Sequence, residues 1–356
     1  MKFITIIGAR PQFVKASSLS REIKKDKNIE EIIIHTGQHY DNIMSDIFWK
    51  ELEIPQPKYN LCINNLPHGA MVGRMLEKIE EILKIEKPDI VIVYGDTNST
   101  LAGSLAASKL HIPIAHIEAG LRSFNNLMPE EINRKLTDHI SDYCFCPTNY
   151  SVDNLRREGI SENKLFQVGD IMYDVFLNFK DLSKKNNLSE LNPYCLVTLH
   201  REENTNDFNK LYDLFICLKK LSDVFNYSFI FPIHPRLEIF LKKNNFDFFK
   251  FKNILFTKPF SYLDMIGLEM NSKIILTDSG GVQKEAFWSM VPCLTLREET
   301  EWNELVDIGV NKIVGLDTKK IFIEFKYFLE NYFMPFNQKI YGDGNTSKKI
   351  LDILKL

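Results

Sequence analysis

The chain has 356 residues, of which 44% are hydrophobic and 26% charged, and its formal net charge is −3. That length is too great for one ordinary core and suits two domains of about 150 to 180 residues each. The charge excludes a global attraction to nucleic acid or to an anionic membrane, so an anion site must be built locally. No apolar run approaches the roughly 20 residues a bilayer span needs.

From Lys2 the chain runs straight into Phe3-Ile4-Thr5-Ile6-Ile7-Gly8. That stretch is too short for a signal peptide and reads as a first strand. Further apolar runs follow at 31–35, 89–94, 112–117, 142–146, 194–199, 228–233, 273–277 and 291–296. Helical patterns lie between them, as at 97–110 and 205–222. Strand, helix, strand at this spacing predicts parallel sheets with helices on both faces. The segment Lys180 to Ser189 is polar and turn-rich, which makes it the natural linker. The expectation is an α/β protein of two Rossmann-like lobes, 1–179 and 190–344. Residues 345–356 have apolar positions at 350, 351, 353 and 354 and read as a closing amphipathic helix. Cysteines 62, 144, 146, 195, 217 and 293 are scattered, which suggests reduced, mostly buried thiols of a cytoplasmic protein.

In such sheets ligands bind beyond the carboxyl ends of the strands, and the distinctive residues stand there. Arg10, Lys15 and Gln38 follow the first two strands. Asp96 follows 89–94, while Glu118 and Arg122 follow 112–117. In the second half His200 and Arg201, His234, and Arg297 follow their own strands. Two facing lobes with a polar cleft account for all of these together.

The most distinctive stretch is Thr277-Asp278-Ser279-Gly280-Gly281-Val282-Gln283-Lys284-Glu285. A helix starting at the Ser-Gly-Gly turn presents unpaired backbone N–H groups, suited to a diphosphate. Glu285 then offers a carboxylate to a ribose. In the first half Asp96, Glu118 and Glu130 supply carboxylates for general acid and base work. Each has a plainer reading. Asp96 can cap the helix at 97–110, and Glu130, after Pro129, sits where acidic residues suit the helix dipole. His116 lies in an apolar strand and reads as a packed histidine. No cluster has metal-ligand spacing, and neither metal nor cofactor is expected.

Taken in order, Gly8-Ala9-Arg10-Pro11, Gly95-Asp96-Thr97, His116-Ile117-Glu118-Ala119-Gly120-Leu121-Arg122, Pro129-Glu130-Glu131-Ile132-Asn133-Arg134, His200-Arg201, Thr277 to Glu285 and Tyr341-Gly342-Asp343-Gly344 form a specific set. The set resembles the non-hydrolysing UDP-N-acetylglucosamine 2-epimerases essentially end to end. The resemblance implies a glycosyltransferase-B type fold, the C-terminal helix packing back on the N-terminal lobe, and a homodimer. It implies inversion at sugar carbon 2, by elimination of UDP to a 2-acetamidoglycal and re-addition. On it, Asp96, Glu118 and Glu130 carry over as the catalytic carboxylates. His200 joins that set and, with Arg10 and Lys15, contacts sugar and diphosphate. Ser279, Gly280 and Gly281 match the phosphate turn, and Glu285 the ribose contact.

Departures from the family pattern bear on the substrate. The chain has Gln38-His39-Tyr40-Asp41 where Gln-His-Arg is usual, His200-Arg201-Glu202-Glu203 for His-Arg-Arg-Glu, and Thr300-Glu301-Trp302-Asn303-Glu304 for Thr-Glu-Arg-Pro-Glu. These look closer to the branch acting on UDP-2,3-diacetamido-2,3-dideoxy-glucuronate than to enzymes of UDP-N-acetylglucosamine. A C6 carboxylate needs a cation, for which Arg122, Arg134 and Arg201 are the candidates. The alternative is a UDP-N-acetylglucosamine 2-epimerase forming UDP-N-acetylmannosamine, with a glycosyltransferase of the same fold ranked below it, and a hydrolysing epimerase would be exposed by release of free UDP.

Overall fold

A computed structural model describes residues 1–38, 54–183, 193–331 and 339–356. Two compact units emerge: Met1–Val175 with Lys339–Leu356, and Phe176–Gln338. Each is built on one parallel sheet.

The first sheet holds β1 (Lys2–Ile7), β2 (Glu30–His35), β3 (Tyr59–Asn60), β4 (Ile90–Tyr94), β5 (Ile114–Ile117), β6 (Tyr143–Cys146) and β7 (Leu165–Gln167). Their order is β3-β2-β1-β4-β5-β6-β7. The chain starts in the middle and winds outward twice, so the strand order reverses between β1 and β4 while every strand stays parallel. Register there pairs Ile4 with Ile32 on one side and with Val91 on the other. β4 is buried along its whole length, as expected for a parallel strand covered on both faces. The helices are α1 (Arg10–Ile23), α2 (His68–Glu86), α3 (Asn98–Lys109), α4 (Pro129–Ile140) and α5 (Asn149–Arg157), and α6 (Ile171–Ser183) begins in this unit and continues into the second from Phe176. Ile4, Ile6, Val91 and Val93 pack on Met75, Ile79 and Ala106. Each large apolar side chain so buried contributes about 1.5–3 kcal/mol.

The second sheet holds β8 (Tyr194–Thr198), β9 (Ser228–Pro232), β10 (Ile254–Thr257), β11 (Ile275–Thr277), β12 (Cys293–Thr295) and β13 (Asn311–Ile313), in the order β10-β9-β8-β11-β12-β13. Its helices are α7 (Glu202–Thr205), α8 (Phe208–Phe225), α9 (Pro235–Lys243), α10 (Tyr262–Asn271), α11 (Gly280–Trp288), α12 (Asn303–Asp307) and α13 (Thr318–Asn331). One face of this sheet is aromatic. Phe215 on α8 lies 5.6 Å from Phe231 on β9 and 4.9 Å from Phe246, centroid to centroid.

The last helix, α14 (Thr346–Leu354), belongs to the first unit. Asp174 accepts from the amides of Thr346 and Ser347 at 3.0 and 2.7 Å, which satisfies two of the helix's orphan donors. Ser347 and Ser18 join their hydroxyls at 2.7 Å, and Lys355 pairs with Asp26 at 2.7 Å. Residues 339–344, read from sequence with the second domain, fall in the first unit. The Asp170 amide donates to Tyr341 O at 3.0 Å, and Gly169 packs so tightly on Tyr341 and Gly342 that a Cβ would clash. All six cysteines are free thiols, and only Cys62 is exposed. Among the described residues no helix is long and apolar enough to cross a membrane.

Candidate active site

In the first unit the strand ends converge on Gly95. The turn after β1 is tied down by Gln12, whose Oε1 accepts from the amides of Gly8 and Ala9 at 2.8 and 3.0 Å. Its Nε2 donates to Tyr94 O at 2.9 Å, so the first turn is locked to the end of β4. Gly8 can be nothing larger, because a Cβ would stand 2.0 Å from Thr36 Oγ1 and 2.3 Å from Ser99 Oγ. This brings Arg10 to the start of α1 and Lys15 one turn further on. Gln38 accepts from the amide and hydroxyl of Ser99 at 3.1 and 2.8 Å.

Lys15 Nζ forms an ion pair with Glu118 Oε2, and both side chains are nearly buried. Glu118 has φ +71, a left-handed conformation unusual for a residue with a side chain. Such strain persists where the surroundings over-determine it, and it gathers at functional sites. Gly95 (φ +62) faces this pair. A Cβ there would lie 3.2 Å from both Glu118 Oε2 and Lys15 Nζ. The next residue, Asp96, accepts from Arg134 Nη2 at 2.6 Å. Asp96 does not cap α3; Thr97 does, accepting from the Thr100 amide at 3.3 Å. Glu130 stands half-exposed in the first turn of α4, the helix that carries Arg134 and Asn133 to Asp96.

Arg122 is a correction. Its guanidinium is buried and spent on Asp138 at 2.8 Å and on Glu158 at 2.7 Å, so it cannot serve as a substrate cation. His116 is packed, with Nδ1 2.7 Å from Asp138 Oδ1 and Nε2 2.7 Å from Gly95 O. Burial pushes the Asp138 carboxyl up, but His116 and Arg122 more than reverse this and hold it below the ordinary carboxylate value. Sequence reasoning missed Asp138 and Glu131. Glu131, fully buried, accepts from the amides of Ser123 and Phe124 and from Arg134 at 3.0–3.1 Å. It sits beside Glu130 in the same motif, which was the available signal.

In the second unit Ser279 is the N-cap of α11, its hydroxyl accepting from the Val282 amide at 3.5 Å. Gln283 braces the turn, with Nε2 donating to Ser279 O at 3.3 Å and Oε1 held by Thr300 and Asn311. The two glycines differ. A Cβ on Gly280 would stand 2.6 Å from Glu301 Oε1, whereas one on Gly281 meets Ser279 Oγ and Glu285 Oε2 at 3.9 and 4.0 Å, which is ordinary contact. Glu301 is itself held by Arg297 Nη1 at 2.8 Å, and both side chains are nearly buried. A side chain on Gly280 would therefore have to displace the Glu301 carboxylate that Arg297 holds. Glu285 is buried, its Oε2 on the Gly281 side of the turn.

Asp278, fully buried, gathers the end of β8. It accepts from the amides of His200 and Arg201 at 3.1 and 3.0 Å and from Asn204 Nδ2 at 3.1 Å. Its Oδ1 lies 2.9 Å from His200 Nδ1. Burial pushes this carboxyl up, and His200, Asn204 and Arg201 hold it below its ordinary value. Arg236 Nη2 donates to His200 O at 2.9 Å. His234 is exposed and caps α9, Nδ1 accepting from the Arg236 amide at 3.3 Å. Arg201 lies 3.8 Å from Glu203. Among the described residues no group of three or more His, Cys, Asp or Glu could hold a metal ion.

Two parallel α/β units of glycosyltransferase-B type, one bearing ion-paired carboxylates and the other a Ser-Gly-Gly turn at a helix start, define a nucleotide-sugar enzyme. The UDP-N-acetylglucosamine 2-epimerase family model matches residues 21–355, and the chain belongs to that family. It is an isomerase, a non-hydrolysing UDP-sugar 2-epimerase. It is 51% identical to a UDP-N-acetylglucosamine 2-epimerase homolog of Methanococcus maripaludis, over 100% of this chain and 99% of the relative. It is 47% identical to the UDP-2,3-diacetamido-2,3-dideoxy-D-glucuronate 2-epimerase of Pseudomonas aeruginosa, over 99% of each. The Methanocaldococcus jannaschii UDP-GlcNAc 2-epimerase, solved in complex with UDP-GlcNAc and UDP, superposes with a TM-score of 0.92 at 44% identity, covering 100% of this chain and 99% of that one.

Proposed function

We propose that the chain inverts C2 of a UDP-2-acetamido sugar by eliminating UDP and adding it back across a glycal, and that its preferred substrate is UDP-2,3-diacetamido-2,3-dideoxy-glucuronate. The observation that carries the reaction is the grouping at Gly95: Glu118 with Lys15 on one side, Asp96 with Arg134 on the other. The C2 proton is weakly acidic, so a positioned carboxylate base is required. Departing UDP gathers negative charge, which the backbone amides at the Ser279 turn are suited to receive. Glu285 would hold the ribose.

The substrate reading is supported by the 47% identity to the Pseudomonas enzyme along the whole chain. Of the three arginines considered for the C6 carboxylate, Arg122 is excluded by burial and Arg134 is nearly buried between Asp96 and Glu131. Arg201, 21% exposed, is the one left to meet it. The relatives at 51% and 45% identity bear the UDP-N-acetylglucosamine name, which makes that sugar the competing substrate. Proton NMR in deuterated water with each UDP-sugar tests both steps. Deuterium at C2 of the diacetamido glucuronate, with a specificity constant well above that for UDP-N-acetylglucosamine, is expected. Equal or higher efficiency on UDP-N-acetylglucosamine would overturn the substrate and leave the epimerase standing, and free UDP accumulating with free sugar would overturn the non-hydrolysing reaction.

A further inference from the structure

We infer that Asp278 is a positioning residue for His200: it fixes the imidazole with Nδ1 toward the carboxylate and leaves Nε2 as the nitrogen offered to the substrate. The inference rests on the reading of His200 as a UDP-sugar contact. Four observations carry it. The Nδ1–Oδ1 separation is 2.9 Å. The carboxylate is fully buried while the His200 side chain is 49% exposed, so one end of the pair is anchored and the other is open. The same carboxylate takes the backbone amides of His200 and Arg201, and Asn204 Nδ2 in addition, so its own orientation is over-determined. Asn204 Nδ2 also reaches Leu296 O at 2.8 Å, which ties the arrangement to the end of β12.

A carboxylate accepts hydrogen bonds and donates none. The ring nitrogen facing Asp278 therefore carries a proton, and the variable proton resides on Nε2. Neutral, Nε2 accepts; protonated, it donates to an anionic oxygen such as that of a diphosphate or of departing UDP. The other nitrogen's partner decides which ring nitrogen does chemistry. Asp278 directly precedes Ser279, the cap of the phosphate turn. One short segment thus sets both the amide donors and the histidine.

The tautomer is read directly on the wild-type, ligand-free protein by long-range proton–nitrogen NMR of the histidines, with His200 assigned by its loss in His200→Ala. The neutral ring of His200 is expected to carry its proton on Nδ1, with Nε2 bare. A neutral ring protonated at Nε2 and bare at Nδ1 overturns the inference, whatever the variants do. The second arm is a double-mutant cycle. Asp278→Asn is expected to lower kcat/KM by about tenfold or more, and by less than about twofold in a His200→Ala background, because the pair acts as a unit. Equal losses in both backgrounds would make Asp278 a structural residue of the turn and overturn the inference. Binding of UDP to the wild type, measured by calorimetry, separates the two failures. Absence of UDP binding and of epimerisation would sink the UDP-sugar reading, while the NMR result judges the Asp278–His200 pair independently.

Discussion

The two units solve opposite problems with similar sheets. At the strand ends of the first, carboxylates meet side-chain cations: Glu118 with Lys15, Asp96 with Arg134, Asp138 with Arg122. At those of the second the principal donors are backbone amides, gathered by Asp278 and at the start of α11. A proton abstracted from carbon needs a side chain of adjustable protonation, whereas a diphosphate needs fixed donors that never titrate. The difference teaches where to look for each function, and it can be broken from either side.

The largest effects are expected in the first unit. Asp96→Asn, Glu118→Gln and Glu130→Gln should each lower turnover by ~100-fold or more, with UDP affinity nearly intact. Near wild-type turnover in one of them would remove that residue from the catalytic set. In the second unit Glu285→Ala should weaken UDP binding by about tenfold, the worth of one hydrogen-bonded charged contact, and calorimetry decides it. The glycines sharpen the point. Gly280→Val should damage the fold as well as binding, because its Cβ would strike Glu301, so a melting curve must accompany the titration. Gly281→Ala, which has room, probes ligand approach more cleanly. Unchanged UDP affinity in a folded Gly281→Ala together with Glu285→Ala would dismiss this turn as the anchor.

The sequence was legible where a pattern is long or doubly buried. The nine strands read from apolar runs are the interior strands of both sheets. Among the described residues, the four it did not show, β3, β7, β10 and β13, are the four edges. Edge strands here are two to four residues long and partly exposed, so they carry no continuous apolar run. The site followed the same logic. Residue identity at strand ends marked Asp96, Glu118 and the Ser279 turn, but it could not distinguish a cation facing substrate from one facing a buried carboxylate. Arg122 was misread for that reason, because Asp138 lies sixteen residues away on another element. Of the linker expected at 180–189, residues 180–183 are instead the last turn of α6, while 184–189 and the departure at His39-Tyr40-Asp41 lie outside the described residues.

A smaller effect tests the treatment of charge in the second unit. Glu269 on α10 is 1% exposed, and among the described residues neither carboxylate oxygen meets a hydrogen-bond donor. Burial, with repulsion from Glu285, pushes its pKa well above the ordinary value. The folded-state pKa is raised, so the folded chain retains a proton that the unfolded chain releases above about pH 4.3. Stability is therefore lost as pH rises from there toward the folded value. Glu269→Met removes that loss. It should stabilise the protein at neutral pH by about 1 to 4 kcal/mol, the range seen when buried charges give way to apolar residues, with the gain fading toward pH 4. Equal stability of variant and wild type at pH 7 and pH 4 would show that Glu269 imposes no such cost.

The smallest effect concerns Trp302, one of the departures that drew the sequence reading toward the diacetamido substrate. Trp302 is 2% exposed, and Lys284, 1% exposed, places its ammonium 4.0 Å from the ring centroid. The same ammonium lies 5.7 Å from the Trp288 ring. A desolvated cation over indole contributes up to about 2 kcal/mol, and more over Trp than over Phe. The tryptophan is thus explained by the lysine it covers, and its ring is turned to the interior. Trp302→Phe should cost about 1 kcal/mol of stability and leave the ratio of specificity constants for the two UDP-sugars unchanged. A tenfold change in that ratio in a well-folded Trp302→Phe variant would return the residue to the specificity set. An unchanged ratio would shift the burden of discrimination to groups that face the substrate, with Arg201 the first to substitute.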